Sequence, residues 1–247
     1  MKRALTAEFR KLLTVRSTYV LTAIALLFVS IGSFYGSGFK SGVYDTHYLA
    51  NAALSSVQAI SFFGAIVSVL LMAHEYRYST IVYALTMTNN RNNVLAAKIL
   101  AVLVYTITIT VVALGVSVGL ATLGASIAGH HIPHQDFDVL AYLARSIFYC
   151  SGFALAALLF TTLLRNITAS IAVLFIVPNT LETLLSLLLK GNAKYLPFTA
   201  LQNVLAAPTA QPGLQRLSPT HSAGVFFAYI FVGWIIAWWL FLRRDAN

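Results

Sequence analysis

The sequence predicts an all-α polytopic membrane protein of six transmembrane helices, folded as a single domain over residues 1–247. The first reason is composition: 59% of the 247 residues are hydrophobic and 9% are charged, whereas soluble domains carry about 25% charged residues. The second is patterning, because the mean hydropathy of +0.80 reflects long apolar runs. The third is that basic residues stand at the ends of those runs. A soluble domain is therefore excluded.

Each predicted span is an apolar run close to the roughly 20 residues that a membrane-crossing helix requires. We place the spans at approximately residues 17–39, 50–73, 97–124, 139–164, 167–189 and 222–242. The fifth span is accepted although it contains Glu182, because this residue falls near the outer end. Six spans place both termini on the same side of the membrane.

The distribution of Lys and Arg predicts which side the termini occupy, since cytoplasmic loops carry an excess of these residues. With cytoplasmic termini, eleven of the 16 cations fall inside: Lys2, Arg3, Arg10, Lys11, Arg16, Arg77, Arg91, Lys98, Arg165, Arg243 and Arg244. The other five fall outside: Lys40, Arg145, Lys190, Lys194 and Arg216. We therefore predict a multi-pass protein of the cell (cytoplasmic) membrane with both termini in the cytoplasm. This spread of cations also argues against a nucleic-acid partner.

Residues 1–16 predict a helix that lies in the membrane interface. Leu5, Phe9, Leu12 and Leu13 form one apolar stripe at helical spacing, and the cations of this segment fall largely off it. Such a helix turns its apolar face to the lipid and its cations to anionic headgroups. The alternative is a charge cluster that only sets the orientation.

The external segment 190–221 precedes the last span and holds four of the six prolines: Pro197, Pro208, Pro212 and Pro219. The stretch between the first two is semi-apolar and too short to cross a membrane. We predict a broken or re-entrant segment here, which requires protein to cover its backbone ends. A plain external loop is the alternative.

Sequence motifs of enzymes fail on inspection, so we predict no catalytic residues and no metal site. Residues 74–78 begin like the zinc motif H-E-x-x-H but end in Tyr78. Residues 38–41 resemble the tail of a phosphate loop, yet Phe stands where Gly must precede Lys. The single Cys150 allows no intramolecular disulfide. The external histidines and aspartates of residues 130–138 match no standard metal spacing, and a metal role for them stays open.

Two ionisable residues, Arg145 and Glu182, fall in the outer part of the predicted spans. Charges inside a membrane are candidates for function, and these two are close enough in depth to form an ion pair. A structural pair or a snorkelling side chain is the first reading, and a contact with substrate is the second. Pro178 is expected to break the helix one turn before Glu182, with Asn179 available to bond the backbone groups that this frees.

Polar residues 74–96 separate two apolar runs and predict a cytoplasmic loop that contacts a partner outside the membrane. Within it, the stretch EYRYSTI at residues 75–81 resembles the E-[YF]-R-x-G-T segment of type-2 ATP-binding-cassette (ABC) exporter permeases. The downstream L-T at 85–86, Arg91 and Lys98 resemble the family's run into the third span. The opening EFRK at 8–11 is similar to the family's interfacial helix. Ser79 departs from the usual Gly and reduces the backbone freedom expected there.

The resemblance implies that residues 79–87 form a coupling helix that docks on a separate ATPase subunit. The residues it assigns to this contact are Glu75, Arg77, Ser79, Thr80, Ile81, Leu85, Thr86 and Arg91. It also implies a dimer of two permease copies and two ATPase copies, with ATP and Mg bound by the ATPases and no cofactor in this chain. The substrate path would be lined by Gln58 and Phe62 of the second span and by Phe175 and Asn179 of the fifth.

The function that the resemblance implies is ATP-driven export through a dimeric permease, with no enzymatic activity in this chain. One alternative is a secondary transporter, although no inverted repeat is visible between the two halves and neither Arg145 nor Glu182 is central. A second alternative is a membrane-embedded sensor or assembly protein that uses the same loop without transporting anything.

Overall fold

The computed structural model describes residues 2–38, 48–78, 91–130, 138–205 and 217–243. Their regular structure is entirely helical. The α-helices are α1 (Lys2–Thr14), α2 (Arg16–Gly38), α3 (Tyr48–Arg77), α4 (Arg91–Ile127), α5 (Val139–Leu164), α6 (Ile167–Ile176), α7 (Glu182–Leu189), α8 (Pro197–Leu205) and α9 (Pro219–Arg243). A π-helical turn, Val177–Leu181, joins α6 to α7, and a 3₁₀ segment, Lys190–Tyr195, precedes α8.

Six helical segments in the described ranges are long and apolar enough to cross a membrane: α2, α3, α4, α5, the α6–α7 unit and α9. This confirms the all-helical architecture with six membrane-spanning candidates and indicates a multi-pass membrane protein. The third candidate, α4, starts at Arg91 and is therefore longer at its beginning than the span predicted at 97–124.

Helices α3 and α5 form the centre of the bundle. In each, 61% of the most apolar stretch is buried, against 17% in α2, the α6–α7 unit and α9. Small side chains explain the central position of α5, because Gly152, Ala154, Ala156 and Ala157 are all buried and let neighbouring helices approach closely. Large apolar side chains such as Phe28, Trp238 and Trp239 are exposed on the outer helices, as expected where lipid is the solvent.

A cluster of serine hydroxyls links three of these helices. Ser117 Oγ of α4 lies 2.9 Å from Ser33 Oγ of α2 and 2.7 Å from Ser56 Oγ of α3. All three serines are buried. Hydrogen bonds of this kind hold membrane helices together where no hydrophobic effect acts between them.

Pro178 widens the fifth span without breaking it. Proline has no N–H to donate, and the helix passes this point through a π-helical turn in which the N–H of Glu182 donates to the carbonyl of Val177. Asn179 Nδ2 donates to the carbonyl of Phe175 at 3.0 Å. The α-helix is therefore interrupted at Pro178, as predicted, but the chain continues through the π-helical turn into α7. The Asn179 side chain bonds a backbone carbonyl there, also as predicted.

A close contact at Gly152 gives a first testable prediction. A Cβ atom added there would lie 2.7 Å from Phe226 Cε1 and 3.1 Å from Leu201 Cδ1. Both neighbours are buried and cannot move aside freely. We expect Gly152→Ala to lower the free energy of unfolding in detergent by about 1–3 kcal/mol, as overpacked cores do.

The matched control is Gly115→Ala in α4, where an added Cβ meets no atom within 4 Å. This change removes a helical glycine and is expected to be neutral or stabilising by up to about 1 kcal/mol. Equal unfolding free energies for the two variants would contradict the close packing of α5 against α8 and α9.

Candidate functional site: a buried charge network

The described cations concentrate at one end of the bundle, which we call the basic end. Successive spans run in opposite directions, so this end gathers α1, the starts of α2, α4 and α6, and the ends of α3, α5 and α9. Its described cationic side chains are Arg10, Lys11, Arg16, Arg77, Lys98, Arg165 and Arg243. On the opposite side of the bundle stand Arg145, in the first turns of α5, and Lys190 and Lys194.

Four charged side chains from three helices meet at the basic end, and we call them the charge network: Glu8 and Lys11 of α1, Glu75 of α3 and Lys98 of α4. Lys98 Nζ lies 2.7 Å from Glu75 Oε1 and 3.2 Å from Glu8 Oε2. Lys11 Nζ lies 2.9 Å from Glu8 Oε1 and also donates to Glu75 Oε1. Each lysine therefore bridges both carboxylates.

The charge network is nearly closed to solvent. The side chain of Lys98 is 0% exposed, those of Glu8 and Glu75 are 4% exposed, and that of Lys11 is 39% exposed. Removing such ions from water costs several kcal/mol each and is offset only by well-formed pairs and hydrogen bonds. Two cations and two anions leave no net charge, so the network is electrostatically balanced as a unit.

Lys11 belongs to α1, which lies outside the membrane-spanning helices. Burial disfavours its ammonium form, but the carboxylates of Glu75 and Glu8 outweigh burial, so the pKa of Lys11 is raised above its ordinary value. The group therefore remains cationic at neutral pH, and the pairs are retained.

The orientation of α1 corrects the predicted apolar stripe. Glu8 and Lys11 are three residues apart and share one face of the helix, and this face turns toward α3 and α4 together with the buried Leu12. Leu12, predicted to face the lipid, is thus buried against protein, whereas Leu13 is 65% exposed, as a lipid-facing residue would be. Lys11 thus points into the bundle instead of toward headgroups, because two buried carboxylates attract it.

The structure separates the eight residues that the resemblance assigns to ATPase contact. Glu75 belongs to the charge network, and Arg77 is exposed with its guanidinium 5.6 Å from the centre of the Tyr78 ring. Arg91 begins α4. The remaining five, and with them the predicted coupling helix, lie outside the described residues: Ser79, Thr80, Ile81, Leu85 and Thr86.

Glu8, Lys11 and Lys98 were missed as site residues by sequence reasoning, although all three fall in the stretches that carry the family resemblance. These contacts are distant in sequence: Lys11 and Glu75 are 64 positions apart, and Glu8 and Lys98 are 90 positions apart. One signal in the sequence could have identified Lys98. It is a single cation directly before an apolar run, and a cation in that position normally pairs with an anionic side chain.

Two of the four predicted path residues are in direct contact. The rings of Phe62 in α3 and Phe175 in α6 lie edge to face with centroids 4.5 Å apart. Gln58, one turn from Phe62, and Asn179, one turn from Phe175, are both exposed. The four residues therefore form one patch across α3 and the α6–α7 unit.

The predicted ion pair between Arg145 and Glu182 is wrong, as it is absent from the ion pairs of the described residues. Glu182 is 4% exposed and instead accepts three hydrogen bonds at the start of α8. Its Oε1 accepts from the N–H of Phe198 at 2.7 Å. Its Oε2 accepts from the N–H and the hydroxyl of Thr199, at 2.6 and 2.8 Å. Free backbone N–H groups at a helix N-terminus attract a carboxylate, so both oxygens of Glu182 are bonded without a guanidinium.

Fold and site together define a multi-pass helical membrane protein with a balanced ionic cluster at one end of its bundle. The chain belongs to the family described as "Protein of unknown function (DUF2705)", which matches residues 19–246. Glu75 and Lys98 lie within the matched region, and α1 with Glu8 and Lys11 precedes it. No curated protein and no solved structure matches the chain.

Proposed function

We propose that this protein is the permease subunit of an ABC transporter, which pairs with a second permease copy and two ATPase subunits to export a substrate. The observation that carries the proposal is the charge network, because it joins α1 to α3 and α4, the two helices that flank the segment 79–90 in the sequence. A partner that binds this segment acts directly on the ends of α3 and α4.

The charge network is suited to transmitting force. Exposed ion pairs contribute about 0–1 kcal/mol and yield easily, whereas breaking a buried pair costs roughly 3–5 kcal/mol. Because Lys98 and Lys11 each bridge Glu8 and Glu75, a displacement of α3 carries α1 and α4 with it. A movement imposed by an ATPase on the segment 79–90 would therefore reach three helices at once.

The orientation in this proposal places the basic end in the cytoplasm, in keeping with the excess of Lys and Arg there. Helix α1 then lies at the cytoplasmic interface, and α8 is the helical part of a re-entrant segment near the outer surface. Burial of Phe198, Leu201 and Leu205 on α8 supplies the protein cover that such a segment requires.

The patch of Gln58, Phe62, Phe175 and Asn179 supports a path shared by two copies. Polar side chains within a span are unfavourable in lipid and normally face protein or water. Gln58 and Asn179 are exposed in the single chain. A second copy facing this patch would shield both and enclose a cavity with aromatic and amide walls.

The test is to replace the loop residues 79–87 with a Gly/Ser linker of equal length and to purify the tagged protein together with a co-produced ABC ATPase. We expect the unmodified chain to retain the ATPase and Mg-ATP hydrolysis activity through purification, and the linker variant to lose at least about nine tenths of both. The matched control replaces residues 131–137, which follow α4 in the sequence, and is expected to retain both.

Retention of the ATPase by the 79–87 linker variant would reject the proposed coupling role. Transport by the unmodified protein on an ion gradient without any ATPase would identify a secondary transporter instead. A dimer that shows neither transport nor ATPase binding would favour a sensor or assembly protein.

A further inference from the structure

A cavity of about 270 Å³ lies beside the charge network, between α1, the start of α2 and the end of α3. One wall is apolar and consists of Leu12, Val15, Val67, Leu70 and Leu71. Sites for whole drug-sized molecules measure roughly 300–1,000 Å³. The cavity is therefore large enough for a headgroup and the first methylenes of an amphiphile, with longer chains left outside.

The opposite wall of the cavity is polar and includes Lys11, Ser17 and Glu75. Lys11 Nζ donates to Glu8 and Glu75, which leaves one of its three protons for another acceptor. Glu75 Oε2 and Ser17 Oγ are buried and have no hydrogen-bond partner among the described residues. Buried polar atoms are almost always bonded, so two such atoms on residues of one cavity point to a ligand that supplies the missing bonds.

The position of the cavity fits a lipid. Its walls come from the last three turns of α3, from Val67 to the turn at Tyr78, from the end of α1 and from the first turn of α2. The parts from α2 and α3 are the ends of two spans, where phospholipid headgroups lie. Tyr78 is 64% exposed and marks the side from which a lipid can enter.

We infer that this cavity binds a phospholipid whose headgroup carries a primary ammonium group. The ammonium N–H donates to Glu75 Oε2, and Lys11 and the hydroxyl of Ser17 donate to phosphate oxygens. A headgroup without net charge matches the balanced charge network. A quaternary ammonium has no N–H for Glu75, and an anionic headgroup adds a negative charge beside two carboxylates without supplying a cation.

The experiment titrates the full chain in detergent with three short-chain lipids that share the same acyl chains. They are phosphatidylethanolamine, phosphatidylcholine and phosphatidylglycerol, and binding is measured by native mass spectrometry and by the shift in unfolding temperature. One charge-assisted hydrogen bond gives roughly a tenfold difference in dissociation constant. We therefore expect phosphatidylethanolamine to bind about tenfold more tightly than either of the others.

Two variants locate the binding. Leu70→Trp fills the cavity and is expected to abolish the preference, while Leu27→Trp, on the 57% exposed Leu27 of α2, is expected to keep it. Ser17→Ala removes only a hydroxyl and is expected to weaken binding several-fold, which covers the case that Leu70→Trp does not fold.

Equal binding of phosphatidylethanolamine and phosphatidylcholine, preference for phosphatidylglycerol, or no binding at all would each overturn the inference. So would an unchanged affinity for phosphatidylethanolamine in Ser17→Ala together with an unchanged preference in a folded Leu70→Trp. These measurements involve no ATPase, so their outcome is independent of the proposed transport function.

Discussion

Replacing Lys98 with Met is expected to lower the free energy of unfolding in detergent by roughly 3–5 kcal/mol. Lys98 is fully buried and bridges Glu75 and Glu8 at 2.7 and 3.2 Å. Its removal leaves two buried carboxylates facing a single ammonium group, that of Lys11, and an uncompensated buried charge carries a penalty of this size. Chemical unfolding followed by circular dichroism measures the loss.

The double variant Lys98→Met with Glu75→Gln separates charge balance from packing. It retains one pair, Lys11 with Glu8, and has no excess charge, so we expect it to be more stable than Lys98→Met alone. The coupling in this double-mutant cycle should reach about 1–3 kcal/mol. Lys194→Met, at the opposite end, is the control for loss of a lysine and should change stability by about 0.5 kcal/mol or less. Additive effects of Lys98→Met and Glu75→Gln would show that the network does not act as a unit.

The membrane-spanning helices could be predicted because their signal is local. An apolar run of sufficient length has few alternatives to a helix in lipid, since every backbone group must be bonded within the segment. Local rules also identified Asn179 as the residue that compensates the backbone near Pro178, because an amide one turn from a carbonyl can reach it.

The charge network could not be predicted because its pairs depend on how helices pack. Sequence spacing places Glu8 and Lys11 on one face of α1, but it does not say that this face turns inward. The apolar stripe suggested the opposite, since Leu12 counted toward a lipid-facing surface and is buried in the fold. Attraction between buried opposite charges, which spacing does not reveal, decides the rotation of the helix.

The Arg145–Glu182 prediction failed for a related reason. The prediction compared how deep Arg145 and Glu182 lie in the membrane, and that comparison takes no account of backbone N–H donors. The start of α8 presents two N–H groups and a hydroxyl directly to Glu182. A helix N-terminus acts as a positive partner without containing a charged residue, so a count of ionisable side chains misses it.

Replacing Glu182 with Ala is expected to detach the start of α8 from α7 and to lower the free energy of unfolding by about 3 kcal/mol. Hydrogen bonds to a charged acceptor contribute roughly 1.5–3 kcal/mol, and donors left buried without a partner carry a further penalty. The N–H of Phe198 is buried and loses its acceptor. Hydrogen exchange at residues 197–205 should accelerate in this variant, whereas exchange in the centre of α5 should change much less.

Two further variants test which partner Glu182 has. Thr199→Val keeps both backbone hydrogen bonds and removes only the hydroxyl, so it should lose about 1 kcal/mol. Arg145→Met should have a small effect, and its effect should add to that of Glu182→Ala within about 0.5 kcal/mol, as for residues that share no interaction. A coupling energy of more than about 1 kcal/mol between Arg145 and Glu182 would show that the two residues do form an ion pair. It would also remove the reason for α8 to stay docked through its N-terminus, because the carboxylate would then be bonded to the guanidinium instead.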